Sequence, residues 1–135
     1  MTYNIRLVQA AVHARLSADS TLQSLLGSPV RLYDHTPPAT QYPFVRYGDQ
    51  GAAALDTHST SDLAISFTLE IYSRYRGRHE LRTIEEAIYA SLHMQTLNLA
   101  GGSTAQVTFA SADQSLDGDG LTYRGRMRFR VLTNN

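Results

Sequence analysis

The stretch from Asp62 to His93 constrains the fold most, because its hydrophobic period changes within it. The first part alternates strictly, with large apolar side chains at every second position: Leu63, Ile65, Phe67, Leu69 and Ile71. A period of two is typical of a strand with one face in a core. After Gly77 the apolar positions follow helical spacing, at Leu81, Ile84, Ile88 and Leu92. This change predicts a central strand that turns at Gly77 into an amphipathic helix folded over the strand's apolar face.

The rest of the sequence adds elements of the same two kinds. An apolar stripe predicts a helix over Asn4–Ala18, and a short helical turn at Leu22–Leu26 ends at Gly27. Strands are predicted at residues 30–33, 43–49, 106–112 and 121–132. We interpret residues 97–102 as a link, residues 117–120 as a turn, and the small, polar residues Gly51–Ser61 as a loop that is mobile in the isolated subunit.

The order helix, strands, helix, strands indicates the fold class. Links of hairpin length between successive strands favour antiparallel pairing. We therefore predict an α+β domain, an antiparallel sheet of about four to five strands with two main helices packed on one face. A chain of 135 residues is predicted to form one domain, residues 1–135.

Composition excludes several functions. The chain has no cysteine, which removes disulfides and thiolate chemistry. Its 12 basic residues, all arginine, are balanced by 12 acidic residues, whereas a protein that binds nucleic acid tightly usually carries a basic excess. No apolar run is long enough for a membrane span, and the first residues do not resemble a signal peptide, so we expect no membrane partner.

Catalytic and ligand-binding motifs are absent from the sequence. It contains neither HExxH nor GxSxG, and Gly101-Gly102 is not followed by the GK[ST] of a phosphate-binding loop. Asp117-Gly118-Asp119-Gly120 is similar to the start of a calcium loop, but the position that requires glutamate is Arg128. We therefore expect no catalytic residue, no cofactor and no metal site.

Two arginine-rich groups are candidates for binding instead. Alternation along the last strand places Arg124, Arg126, Arg128 and Arg130 on one sheet face, here called the arginine face. It is interpreted either as a solvated face partly neutralised by Glu70, or as a face that meets acidic groups of a neighbouring subunit or lines a channel containing DNA. The second group consists of Arg74, Tyr75, Arg76 and Arg78. It is either a solvated loop at the helix entry or a partner surface, where tyrosine and arginine are common.

Three blocks carry a family resemblance. The first is Leu32–His35, a proline pair and Tyr42–Val45; the second is Tyr72–Arg74, Gly77 and Glu86–His93; the third is Gly120–Gly125 followed by Arg128–Arg130. In this order they resemble the tail-completion or tail-terminator proteins of long-tailed phages, prophages and gene transfer agents. The resemblance covers nearly the whole chain, from about Asn4 to Leu132.

The resemblance implies a structural function. Family membership implies a mixed α/β subunit, not an enzyme, that forms a homo-oligomeric, hexameric ring on the finished tail tube. The ring stops tail polymerisation and joins a head–tail connector or stopper protein, and DNA passes through its lumen. The implied location is the bacterial cytoplasm during assembly and then the virion or gene-transfer-agent particle. Within the predicted loop, Leu55, Asp56, Thr57 and His58 are the candidate contacts to the tube.

Three other functions remain open from sequence. A head-side connector or stopper ring is the alternative within assembly, and a position beside the portal would favour it. A small nucleic-acid-binding module would use the arginine face as its platform, and a gel shift at physiological salt would detect it. An enzyme is the third, although no set of residues supports it.

Overall fold

The computed structural model describes residues 4–56 and 61–134. Within them the elements are α1 (Ile5–Ser17), α2 (Ser20–Leu26), β1 (Leu32–Tyr33), β2 (Phe44–Asp56), β3 (Ser61–Ser73), α3 (His79–Leu92), β4 (Gln95–Asn98), β5 (Thr104–Leu116) and β6 (Tyr123–Asn134). The predicted strand–turn–helix unit is confirmed as β3 and α3. Gly77, between them, has φ +81°, a conformation that glycine adopts without strain.

The strands form one six-stranded sheet in the order β1-β2-β3-β6-β5-β4. β1 pairs parallel with β2, and the other neighbours are antiparallel. The α+β class is confirmed, but the purely antiparallel sheet of about four to five strands is wrong in detail, since the described residues form a mixed sheet. The strand β4 was missed because only Leu97 of its four residues is buried, which leaves no alternation to detect.

The core lies between the sheet and a single layer of helices. The five alternating apolar residues of β3 are at most 5 % exposed, and the buried stripe of α3 packs over them. Val8, Val12 and Leu16 extend this layer from α1, and α2 adds Leu22 and Leu26. Helices therefore cover one face of the sheet, and the opposite face, here called the open face, carries the polar positions of β3 and β6.

The predicted loop Gly51–Ser61 is mostly strand. β2 continues to Asp56, and its residues pair in register with β3, for example Ala53 with Ala64 and Leu55 with Asp62. Sequence periodicity misses this extension because glycine and alanine give no apolar alternation, whereas backbone hydrogen bonds form whatever the side-chain size. Leu55 and Asp56 thus belong to a strand, and Thr57 and His58 lie outside the described residues.

Two β-bulges break the register on either side of the sheet. β2 carries one extra residue between Tyr47 and Gln50, and β5 carries one between Phe109 and Ser111. After a bulge the alternation shifts by one residue. A residue whose N–H and C=O groups would have faced one neighbouring strand then faces the other side. Both bulges lie just beyond the residues that pair with the short strands β1 and β4.

Candidate assembly surfaces

The arginine face lies on the open face, as alternation predicted, but most of its charge is neutralised locally. Arg126 lies 3.3 Å from Glu70 of β3, Arg128 lies 2.9 Å from Asp113 of β5, and Arg124 lies 3.7 Å from Asp117. Each distance joins a guanidinium nitrogen to a carboxylate oxygen. Cross-strand pairing places opposite charges beside each other and relieves the repulsion along β6.

Glu70 is the centre of this network. It is only 8 % exposed, and it accepts hydrogen bonds from Arg46 Nε at 2.8 Å and from the Tyr72 hydroxyl at 3.2 Å. Gly48 gives it room, since a Cβ there would lie 3.2 Å from the Glu70 side chain. Burial, followed by the Glu70 charge, raises the pKa of Tyr72, so its hydroxyl keeps its proton at neutral pH. Glu70 therefore neutralises part of the face, as the first of the two interpretations from sequence had it.

Arg130 differs from the other three arginines of the face. Its residue is exposed, whereas Arg124, Arg126 and Arg128 are half-buried. Among the residues that the structure describes, Arg130 has no acidic partner within 4.0 Å. It stands opposite Ser66 of β3 and Thr108 of β5, which carry no charge. The arginine face therefore presents one guanidinium that is available to another molecule.

All four residues of the second predicted group are exposed, and two of them make side-chain contacts within the subunit. Arg74 Nε donates to Thr122 Oγ1 at 3.1 Å, and the guanidinium lies 4.2 Å from the Tyr42 ring centroid. Arg78 lies above the Tyr123 ring at 5.4 Å. Tyr75 is 56 % exposed, and the neighbouring Arg76 is exposed as well. Arg74 and Arg78 thus position the loop through their contacts, and all four side chains lie on its surface.

The turn beside Arg74 is held by one carboxylate. Asp119 accepts hydrogen bonds from the N–H groups of Leu121 (2.8 Å) and Thr122 (2.9 Å), and from the Thr122 hydroxyl at 2.7 Å. These bonds favour the charged form and lower the pKa of Asp119 to about 2. The sequence Asp117–Gly120 is therefore a hairpin turn, as predicted, and its second aspartate is used internally.

Sequence reasoning did not single out Glu85, a half-buried residue of α3. Gln114 of β5 donates a hydrogen bond to it, and burial is the main reason why the pKa of Glu85 is raised. Gly125 lets the helix approach, since a Cβ there would lie 3.0 Å from Leu81 Cδ1 and 3.5 Å from the Glu85 carboxyl. A glycine within the apolar alternation of β6 was the available signal, because such a position often marks a close approach.

No described residues suggest a metal centre or a membrane anchor. In residues 4–56 and 61–134, no three His, Asp or Glu side chains are grouped to hold an ion. Over the same part of the chain, none of the helices combines the length and apolar character that a membrane crossing requires.

Two solved structures illustrate where the fold of this chain occurs. One chain of the "virion of native gene transfer agent (GTA) particle" superimposes with a TM-score of 0.86, at 22 % identity, covering 99 % of this chain and 100 % of that chain. The bacteriophage SPP1 gp17 protein superimposes with a TM-score of 0.63, at 21 % identity, covering 96 % and 91 % respectively. Both likenesses show the fold, which this chain shares with one chain of a gene-transfer-agent virion and with one bacteriophage protein.

A family model matches more specifically. The family "Tail completion protein gp17" matches residues 10–134. The chain therefore belongs to the tail completion protein gp17 family, which is a family of structural phage tail proteins. This confirms the resemblance carried by the three sequence blocks. No curated protein matches the chain by sequence.

Proposed function

We propose that this protein is a tail terminator: a ring that caps the tail tube, stops tail polymerisation and joins the tail to the head or neck, with DNA passing through its centre. The family match over residues 10–134 carries this proposal. The fold shared with a chain of a gene-transfer-agent virion supports it, because that likeness extends over the full length of both chains.

The mechanism would rest on binding geometry without chemical catalysis. One side of the ring would complement the last tube ring, and the other side would not, so a further tube subunit could not add. Heterologous contacts between identical subunits close into a ring when the rotation between neighbours permits it. Six copies is the ring size that we propose, with the tail tube protein and a head–tail connector as the neighbours of the ring.

The exposed residues suggest which surface of the subunit contacts which partner. We assign the contact of the arginine face with the lumen or a neighbouring subunit to Arg130, because Arg124, Arg126 and Arg128 already have acidic partners. Tyr75 and Arg76 would contact a partner protein. Leu55 and Asp56, at the end of β2, would meet the tube together with Thr57 and His58, the other two residues that the sequence singles out.

The location follows from this function. The protein would be made and assembled in the bacterial cytoplasm and would then remain at the top of the tail in the finished particle. The structure shared with a virion component supports a place in the particle.

The test is the morphology of particles that lack this chain. Without a terminator, we expect tails of irregular length that do not join filled heads, and expression of the chain in trans should restore normal particles. Tails of normal length joined to heads in its absence would overturn the proposal. Tails of normal length that fail to join heads would indicate a connector instead.

A further inference from the structure

Each outer edge of the sheet is covered along only part of its length. β1 pairs with β2 only at Val45 and Arg46, and β4 pairs with β5 only from Thr104 to Val107. Among the described residues, no strand pairs with the outer side of β2 from residue 50 to 56 or of β5 from 111 to 116. We call these segments the β2 edge and the β5 edge. A long unpaired edge is a template for another strand.

The peptide groups of the β2 edge that point outward can be identified. The Leu63 N–H donates to Thr133 Oγ1 at 3.1 Å, on the β6 side, so the Leu63 peptide groups face away from β2. Its partner Ala54 must therefore direct its own N–H and C=O away from β3, toward the edge. Ala52, two residues earlier, points the same way.

The same reasoning applies to the β5 edge. The Phe109 N–H donates to His93 Nδ1 at 3.1 Å, on the side away from β6. The bulge after Phe109 shifts the alternation by one residue, so Ala112 and Gln114 direct their peptide groups outward. Each edge thus offers at least two outward-facing residues, spaced two positions apart.

Each edge carries little of the usual protection against pairing. Natural edge strands are commonly guarded by charged side chains, above all lysine, by proline and by bulges, and here each edge contains a single charged residue, an aspartate. None of the 12 arginines and none of the 4 prolines lies in the β2 edge (QGAAALD) or the β5 edge (SADQSL). Seven of the 13 residues are glycine, alanine or serine, and most of the 13 are exposed. Arginine is abundant elsewhere on the open face, and its absence leaves both edges open to another strand.

We propose that the β2 edge of one copy pairs antiparallel with the β5 edge of the next copy, so that the sheets of neighbouring subunits form one continuous sheet. This inference rests on the proposed ring, and it identifies the contact that closes the ring. The partner is a second copy of this chain, bound through backbone hydrogen bonds.

The directions of the strands, and the sheet face on which their side chains lie, both fit this pairing. β2 and β5 run in opposite directions within a subunit, so copies related by rotation about an axis that lies roughly along the strands, but is tilted from them, meet antiparallel. Ala54 and Gln114 stand opposite Leu63 and Gly125, positions on the helix-bearing face. An antiparallel pair between them therefore keeps the helices of both copies on the same side, as a closed ring requires.

The positions of the two edges also fit a closed sheet. β1 and β4 cover diagonally opposite corners of the sheet, so the β2 edge and the β5 edge lie toward opposite ends of the strands. Neighbouring copies must then be shifted along the strand direction. Closing a sheet into a barrel requires such a stagger, together with a tilt of the strands.

A proline substitution tests the pairing without disturbing the fold. Ala54→Pro removes an outward-facing N–H that β3 does not use, so the monomer should keep its circular dichroism and melting temperature. We expect the dissociation constant between subunits to rise at least about tenfold, measured by native mass spectrometry over a dilution series. Thr96→Pro is the matched control, because its N–H faces outward from β4, which the proposal leaves outside the contact. Equal ring stability in both variants would overturn the proposal.

Cysteine linking tests it independently of stability, and the chain has no cysteine to interfere. Each of Ala52 and Ala54 is replaced by cysteine in combination with Ala112→Cys or Gln114→Cys. We expect at least one double variant to give, on mild oxidation, a ladder of oligomers that stops at the ring size, since opposite residues of paired strands are close enough for a disulfide. The single variants should remain unlinked.

The outcomes separate this inference from the proposed function. Rings on tails with no linked ladder from any double variant would refute the edge pairing and leave the terminator function standing. Linked dimers from an Ala54→Cys single variant would indicate pairing of two β2 edges and would also refute it. A protein that forms no ring, alone or on tails, would refute both.

Discussion

At the residue scale, several charges of this protein are engaged within the subunit. Glu70 binds both Arg46 and Arg126, and Asp119 ties the β5–β6 turn to Arg74. The exposed Arg74–Asp119 pair contributes little to stability, because water screens it, whereas Glu70 is nearly buried and needs its partners to offset the cost of removing its charge from water. Because these charges are paired within the subunit, they leave few charged groups available to bind another molecule. Arg130 is the clearest example of such a group.

The first prediction concerns Glu85. Because burial raises its pKa in the folded state, the charged carboxylate destabilises the fold at neutral pH. Glu85→Gln should therefore raise the melting temperature at pH 7, since the amide still accepts the hydrogen bond from Gln114. The gain should shrink as pH falls through the raised pKa and disappear below the unfolded pKa. A gain that does not change with pH, in melting curves from pH 3 to 8, would contradict this account.

The second prediction concerns Asp119, whose folded pKa is lowered to about 2. A depressed carboxyl pKa stabilises the fold above the unfolded value, about 3.9, and this stabilisation is lost as pH falls toward 2. We expect wild type to be more stable than Asp119→Asn above pH 4 and the difference to shrink between pH 4 and 2. Urea unfolding at fixed pH values measures it, and an equal difference at pH 2 and pH 6 would refute it.

At the element scale, α3 can pack close to the sheet because β6 has a glycine, Gly125, beneath it. Gly125 leaves space for Leu81, and the stripe Leu81, Ile84 and Ile88 is almost completely buried against the sheet. The sequence predicted this packing from the two periods alone. Alternation could not predict the length of β2 or the existence of β4, because side chains there are small or lack a buried stripe.

The third prediction tests that close packing. Gly125→Ala should destabilise the protein by about 1–3 kcal/mol, because the added Cβ would press on Leu81 and displace α3. Gly118→Ala is the matched control, since nothing lies within 4 Å of the added Cβ there. Chemical denaturation of both variants should show the loss only for Gly125. Similar stabilities would mean that the helix does not pack as closely as described.

At the scale of the whole molecule, helices cover one face of the sheet, while the open face and two strand edges are left for other contacts. The arginine face illustrates the limit of sequence reasoning about the site. Alternation placed all four arginines on one face correctly, but their availability depends on Glu70, Asp113 and Asp117, which approach from other strands or the turn. Only the strand order brings those residues together.

The fourth prediction follows from the difference between Arg130 and the three arginines that have acidic partners. Arg130→Gln should leave the free energy of unfolding within about 0.5 kcal/mol of wild type, because the side chain is exposed. It should nevertheless lower the yield of particles that deliver DNA. Arg6→Gln, at an exposed position on the first turn of α1, is the control and should be neutral in both measurements. Normal delivery by Arg130→Gln would remove this residue from the proposed lumen or interface.

The sequence by itself determined the α+β class, the β3–α3 unit and the family, because these depend on local periodicity and on ordered blocks of residues. Tertiary structure alone decided the mixed strand order, the extension of β2 through small residues, the ion pairs of the arginine face and the two uncovered edges. These features depend on which strands become neighbours. Strand pairing is set by backbone hydrogen bonds between residues far apart in the chain, which leave no periodic signal in the side chains.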